Sequence, residues 1–280
     1  MDLSAFSETP PARHMHVLFI HHSVGGQLLG DAGPDVDDGH EIYETSVNGG
    51  GLRRLLEAQG YRVHEASYGS QIGEKTDLFD WLPKLRDQMD LVLRVDRQDR
   101  QLAGEETNEI VLFKSCFPNS DFVAEGEAPG NPAGPELTLS NARATMTALL
   151  SALARHPKVL FVYLTAPPIT AHDGAEPAWT WLAKRLLGRQ TRADRLVRSG
   201  ELARQFNDWL KASDGWLKDY PAKNVVVFDF YDILTDHGAS NLSRYPSHGG
   251  SDSHPSNAGN AKAAAELVPF LNRAVRRAEL

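Results

Sequence analysis

Two short stretches carry the residue types that could do covalent chemistry. Residues 16–26 read HVLFIHHSVGG and residues 251–259 read SDSHPSNAG. A serine hydroxyl is a poor nucleophile at neutral pH unless a base stands beside it. His254 is such a base. Asp252, two residues earlier, can reach its Nδ1 on an extended loop, fix the tautomer and stabilise the imidazolium. Ser23 is then the candidate nucleophile. Other readings stand beside this one. Ser23 could simply cap a short helix. His21, His22, His254 and Asp252 have the ligand types for metal-assisted hydrolysis, although no HExxH or comparable spacing accompanies them. The chain could also be a binding module without turnover.

The flanking elements decide whether Ser23 can be presented. Residues 17–20 form a short unbroken apolar run, the signature of a strand buried on both faces. It runs straight into His21, His22 and Ser23, with Gly25 and Gly26 just behind. That places a hydroxyl at the carboxyl edge of a parallel sheet, where open α/β sheets carry their ligands. Further strands are expected at 61–68, 109–114, 159–164 and 225–228, which makes five. Between them lie amphipathic helices. One carries Leu52, Leu55 and Leu56, another Leu78, Trp81, Leu82 and Leu85. A third, capped by Ser140, carries Met146, Leu149, Leu150 and Leu153, and residues 204–210 continue a fourth. A final helix starts at Asn257, with Pro269 expected to kink it. Residues 90–95 fit a strand or a helix end, and 97–108 read as charged and exposed. Strands alternating with helices predict an α/β fold, a mainly parallel five-stranded sheet covered on both faces.

Composition narrows the function classes. The 280 residues are read as one domain spanning 1–280, with 1–14 as a loosely packed or disordered N-terminal segment. A net charge of −8 argues against a nucleic-acid-binding surface. The one cysteine, Cys116, permits neither an intrachain disulfide nor a four-cysteine zinc site, and reads as a buried small residue. No GxGxxG follows a strand, so a dinucleotide site is not indicated. Asp31, Asp35, Asp37 and Asp38 lack the glycine and closing glutamate of a calcium loop and read as solvated. The first residues lack a basic region followed by an apolar one, and no apolar run approaches the roughly 20 residues that span a bilayer. The expectation is a soluble cytoplasmic protein. Trp179 and Trp181 are expected to pack in the core or a lid, or else to stack on a sugar or acyl group, and 184–198 is expected to be a solvated helix face.

The blocks HHSVGG, FKSCFPNS and DSHPSNAGN together resemble the SGNH, or GDSL-type, hydrolase superfamily, in the divergent branch where HHS replaces GDS. The likeness spans roughly residues 16 to 275 and rests on these short blocks. It implies a flavodoxin-like three-layer α/β/α sandwich and ester hydrolysis through an acyl-enzyme. By match to the family blocks, Ser23 would be the nucleophile, His254 the base and Asp252 its orienting acid. The backbone N–H of Gly73, in IGEKT, would help form the oxyanion hole with that of Ser23. The family's GxND block is absent. KSCFPNSD stands in its place, which nominates Asn119 as the side-chain donor, with Ser115 and Ser120 close by. His22 takes the position of the family's aspartate and would order the loop. The implied substrate is a carboxylic ester of a small molecule or carbohydrate, bearing a short acyl group such as acetyl. No cofactor, metal ion, nucleic acid or membrane is implied, and nothing in the sequence sets an oligomeric state. Loops at 30–48, 124–138, 165–200 and 235–251 would set specificity.

Overall fold

The computed structural model describes residues 2–34 and 39–280. Three of the four loop aspartates considered above, Asp35, Asp37 and Asp38, lie outside the described residues. The order of elements is β1 (Met15–Ile20), α1 (Ser23–Leu29), α2 (Leu52–Glu57), β2 (Tyr61–Ala66), α3 (Trp81–Asp87), α4 (Met89–Val92), β3 (Val95–Arg97), β4 (Arg100–Gln101) and β5 (Ile110–Lys114). There follow α5 (Leu139–Leu153), β6 (Leu160–Leu164), α6 (Ala178–Leu186), α7 (Arg192–Lys211), β7 (Val225–Phe228), α8 (Phe230–Leu234), β8 (Pro246–Ser247), β9 (Asp252–Pro255) and α9 (Asn257–Ala278).

Seven strands pair in the order β4-β3-β2-β1-β5-β6-β7, all parallel except β4. The five expected strands form a continuous parallel block, β2-β1-β5-β6-β7, which is the flavodoxin-like order 2-1-3-4-5. The count of five is corrected by two short edge strands and by the separate β8–β9 hairpin. Residues 90–95 resolve into the end of α4 and the first residue of β3.

Alternation along the strands divides the core into two layers. Val17, Phe19, Leu112 and Val162 meet Leu28, Leu52, Leu56, Leu267 and Leu271, so α1, α2 and α9 cover one face. Leu18, Ile20, Val111, Phe113 and Phe161 meet Trp81, Leu85, Met146, Leu149, Leu202 and Phe206, so α3, α5 and α7 cover the other. Burial on both sides is why these strands read as apolar runs and not as alternating patterns.

Some local expectations are corrected. Thr138, not Ser140, caps α5, its Oγ1 accepting from Asn141 N–H; Ser140 is the second helical residue. Helix α9 continues from Asn257 to Ala278 through Pro269. Residues 2–14 form neither helix nor strand, yet Leu3 is buried, and Asn272 and Arg276 of α9 donate to Glu8 O and Pro10 O. Trp179 and Trp181 are not core residues. Trp179 is 75% exposed, and α6 buries none of its residues. Among the described residues, no helix is long and apolar enough to cross a membrane.

Candidate active site

The sheet order reverses between β1 and β5, and the crevice at such a switch point opens at the carboxyl ends of those two strands. Ser23 leaves β1 there, and Cys116 and Phe117 leave β5. His21 N–H still bonds to Ala66 O at 3.0 Å, which extends the sheet pairing one residue further. His22 is the extended N-cap of α1 (φ −119°, ψ −160°), so Ser23 is the first helical residue and does not cap the helix. Its hydroxyl is free to turn outward, and Ser23 Oγ lies 2.8 Å from His254 Nε2.

His254 arrives on β9. In an extended strand, residues two apart share a face, which is why a D-x-H spacing works here. Asp252 Oδ1 accepts both the His254 backbone N–H at 3.0 Å and Nδ1–H at 2.8 Å. That leaves the Nε2 lone pair for the Ser23 hydroxyl. His248 Nδ1 stands 3.3 Å from the other oxygen, Asp252 Oδ2. Burial alone would raise the Asp252 carboxyl. The hydrogen bonds and charge from His254, with the Ser247 hydroxyl, outweigh it and hold the group below the usual carboxylate range.

The intervening Ser253 points the other way and anchors the strand. It accepts from Thr170 N–H at 2.9 Å and donates to Asp173 Oδ2 at 2.7 Å. Asn48 Nδ2 secures Pro255 O from the opposite side at 2.9 Å.

His22 is tied to the neighbouring loop. Its Nε2–H is shared between Gly73 O at 2.8 Å and Glu74 O at 3.1 Å, and its ring stacks on Tyr68 with centroids 3.6 Å apart. Burial pushes the imidazole down to about 4, despite the two carbonyls that favour the charged form. Gly73 sits so close to Ser67 that a Cβ would lie 2.1 Å from its carbonyl oxygen, so the position needs glycine.

The other expected oxyanion donors already have partners. Gly73 N–H donates to Ser70 Oγ at 3.1 Å. Asn119 Oδ1 accepts Leu78 N–H at 2.8 Å, while Nδ2 donates to Asp77 Oδ1 at 2.8 Å and Cys116 O at 3.4 Å. The Asn119 amide therefore fastens the 77–80 turn. Ser115 Oγ accepts Trp81 Nε1–H at 2.9 Å, and Ser120 Oγ donates to Ala166 O at 3.2 Å. Of the expected donors, the Ser23 N–H has no intrahelical carbonyl, like the first amides of any helix, and the Ser115 hydroxyl is engaged as an acceptor only.

Three contacts were not anticipated from the sequence. Cys116 Sγ lies 3.7 Å from Ser23 Oγ. Lys114 Nζ lies 3.8 Å from that sulfur, with the lysine wholly buried. The Phe117 ring meets His254 edge-on with centroids 5.0 Å apart. The only sequence signal for Lys114 was a charged residue closing the apolar run EIVLF.

The histidines near Ser23 do not converge as ligands. His21 is wholly buried, with Nδ1 2.8 Å from His22 O and Nε2 3.3 Å from Glu65 Oε2. The absence of a Cβ at Gly25 leaves room for its ring. Among the described residues, no group of three or more His, Cys, Asp or Glu is placed to hold a metal ion.

No family model matches the chain, and no curated protein matches it. Among solved structures, an acetylxylan esterase from Geobacillus stearothermophilus is similar at 14% identity and TM-score 0.43, covering 98% of this chain and 97% of its own. A catalytic mutant of that esterase gives 15% identity and TM-score 0.43, covering 93% and 94%. A carbohydrate esterase family 2 enzyme plus carbohydrate binding domain, from Corynascus thermopiles (Myceliophthora fergusii), gives 13% identity and TM-score 0.41, covering 95% of this chain and 68% of its own. At these scores the likeness carries no inference about what this chain acts on.

Proposed function

We propose that this chain is a serine esterase that hydrolyses a carboxylic ester through an acyl-enzyme on Ser23. The observation that carries the reading is the unbroken chain Ser23 Oγ–His254 Nε2 at 2.8 Å and His254 Nδ1–Asp252 Oδ1 at 2.8 Å. His254 Nε2 takes the hydroxyl proton as Ser23 Oγ bonds to the ester carbonyl carbon. The tetrahedral oxyanion draws on the Ser23 N–H. As the intermediate collapses, the C–O bond to the alcohol breaks and His254 returns the proton to the leaving oxygen. Water, deprotonated by the same imidazole, then releases the acid and restores Ser23. Asp252 stays ionised throughout and keeps Nδ1 protonated.

A short acyl group such as acetyl fits the crowding by Cys116 and Phe117 around Ser23 and His254. The alcohol half is a small molecule or carbohydrate. The reading takes 1–280 as one catalytic unit, because Ser23 and His254 come from distant parts of the chain.

A fluorophosphonate probe tests the proposal. The expected result is one labelled serine, with labelling and turnover of an activated acetate ester both lost in Ser23→Ala. A folded wild-type protein that neither labels nor turns over would refute the proposal.

A further inference from the structure

Resting on that esterase reading, we propose that Lys114 and Cys116 extend the catalytic chain behind the nucleophile, with Cys116 donating to Ser23 Oγ and Lys114 acting through Cys116 as a positioning charge. The hydrogen bonds run in one consistent direction. Lys114 Nζ–H donates to Cys116 Sγ (3.8 Å), and the thiol S–H donates to Ser23 Oγ (3.7 Å). Ser23 Oγ–H donates to His254 Nε2 (2.8 Å), and Nδ1–H donates to Asp252 Oδ1 (2.8 Å). Along the series each hydrogen is donated once, and Asp252 Oδ1 at its end also accepts the His254 backbone N–H. A buried cation therefore stands at one end and a carboxylate at the other, with the reacting hydroxyl between them.

The placement answers a need the site leaves open. Gly73 N–H and the Asn119 amide are engaged elsewhere, so negative charge growing at Ser23 has few preorganised donors. Lys114 has no exposure to water, and the Cys116 sulfur is the partner its Nζ meets. Burial pushes the ammonium below its ordinary lysine value, and the thiol offsets this only in part. Such a charge is poorly compensated in the resting enzyme. It gains a counter-charge as the alkoxide and then the oxyanion form, so its attraction is stronger in the transition state than in the ground state. A chain of aligned donors also strengthens each member.

Lys114→Met tests this well, because methionine fills a similar volume and removes a buried charge. If Lys114 were only structural, Lys114→Met would fold stably and turn over normally. We expect kcat on an activated acetate ester to fall about 100-fold, as for loss of an oxyanion donor, with KM within about threefold. Cys116→Ala should show a similar loss. Cys116→Ser, whose hydroxyl can relay the same bonds, should stay within about tenfold of wild type. Because Lys114 acts through the sulfur, Lys114→Met in the Cys116→Ala background should add less than about threefold.

A readout independent of turnover uses Cys116 as the chain's one cysteine. Its iodoacetamide reaction should change at least about fivefold in Lys114→Met, because Lys114 Nζ is in contact with the sulfur. The proposal is overturned if Lys114→Met keeps kcat within about threefold, if the two single losses multiply in full, or if alkylation rates are equal. Absence of fluorophosphonate labelling in the wild type would instead overturn the esterase reading, and the alkylation comparison would still report on the Lys114–Cys116 contact.

Discussion

Acidification should weaken this fold through His22 before it reaches the carboxylates. The ring lies on Tyr68 at 3.6 Å and donates to Gly73 O at 2.8 Å. Burial holds its imidazole down to about 4 from an ordinary 6.5, with the charges of Lys114 and His21 adding to the effect. In the unfolded chain the group takes up its proton as pH falls through about 6.5; in the folded chain it does so only near 4. Between those limits the unfolded state binds more protons, so stability falls as pH falls through that window, and no further loss from this group occurs below it. At about 1.4 kcal/mol per tenfold, the full displacement would be worth about 3 kcal/mol in a group sealed from water. His22 is only partly buried, so roughly half, about 1.5 kcal/mol, is expected. The assay is urea unfolding followed by tryptophan fluorescence, from about pH 7 down to about pH 4.5, on wild type and His22→Gln. The glutamine amide cannot titrate, so the other ionisable groups cancel in the difference. Lost ring stacking adds a constant offset. The two proteins should converge by about 1.5 kcal/mol as pH drops. Parallel curves across the window would refute the assignment of a neutral, desolvated His22.

Three further outcomes are expected. Ser23→Ala and His254→Ala should each lower kcat by at least about 1,000-fold on an activated acetate ester, and a drop of less than about tenfold in either would remove that residue from the mechanism. Asn119→Ala should cost about 1–3 kcal/mol in urea unfolding, because Leu78 N–H and Asp77 lose a buried partner. Its kcat should stay within about tenfold, and a loss of 100-fold or so would restore Asn119 as an oxyanion donor. Gly73→Ala should lower stability by about 1–3 kcal/mol, since the new Cβ would press on the Ser67 backbone; an unchanged unfolding midpoint would contradict the packing.

Strands β1, β5, β6 and β7 were legible because each is buried on both faces and so carries an unbroken apolar run; β2, with Arg62, His64 and Glu65, does not. Residues 17–20, 110–113 and 225–228 all announce themselves this way. The edge strands β3 and β4 are three and two residues long and pair mainly through backbone, which leaves no pattern to read. Ser23, Asp252 and His254 were visible as types and spacing. Where a polar group sends its hydrogen bonds is not a property of spacing. Asn119 sat in the expected block, but its amide turned to the 77–80 turn. Ser140 reads as the cap of α5 in the sequence, but Thr138, two residues earlier, holds the extended backbone and accepts Asn141 N–H. Trp179 and Trp181 were expected in the core or a lid, or stacked on a substrate; α6 stands on the surface, which removes the core alternative.

The Ser23–His254 contact joins residues 231 positions apart, and the histidine rides on a hairpin just ahead of α9. A ribosome must therefore deliver everything from Ser23 to His254 before the serine meets its base. Until then the hydroxyl has no imidazole beside it, and the contact forms in the same late event that seats α9 against α1 and α2.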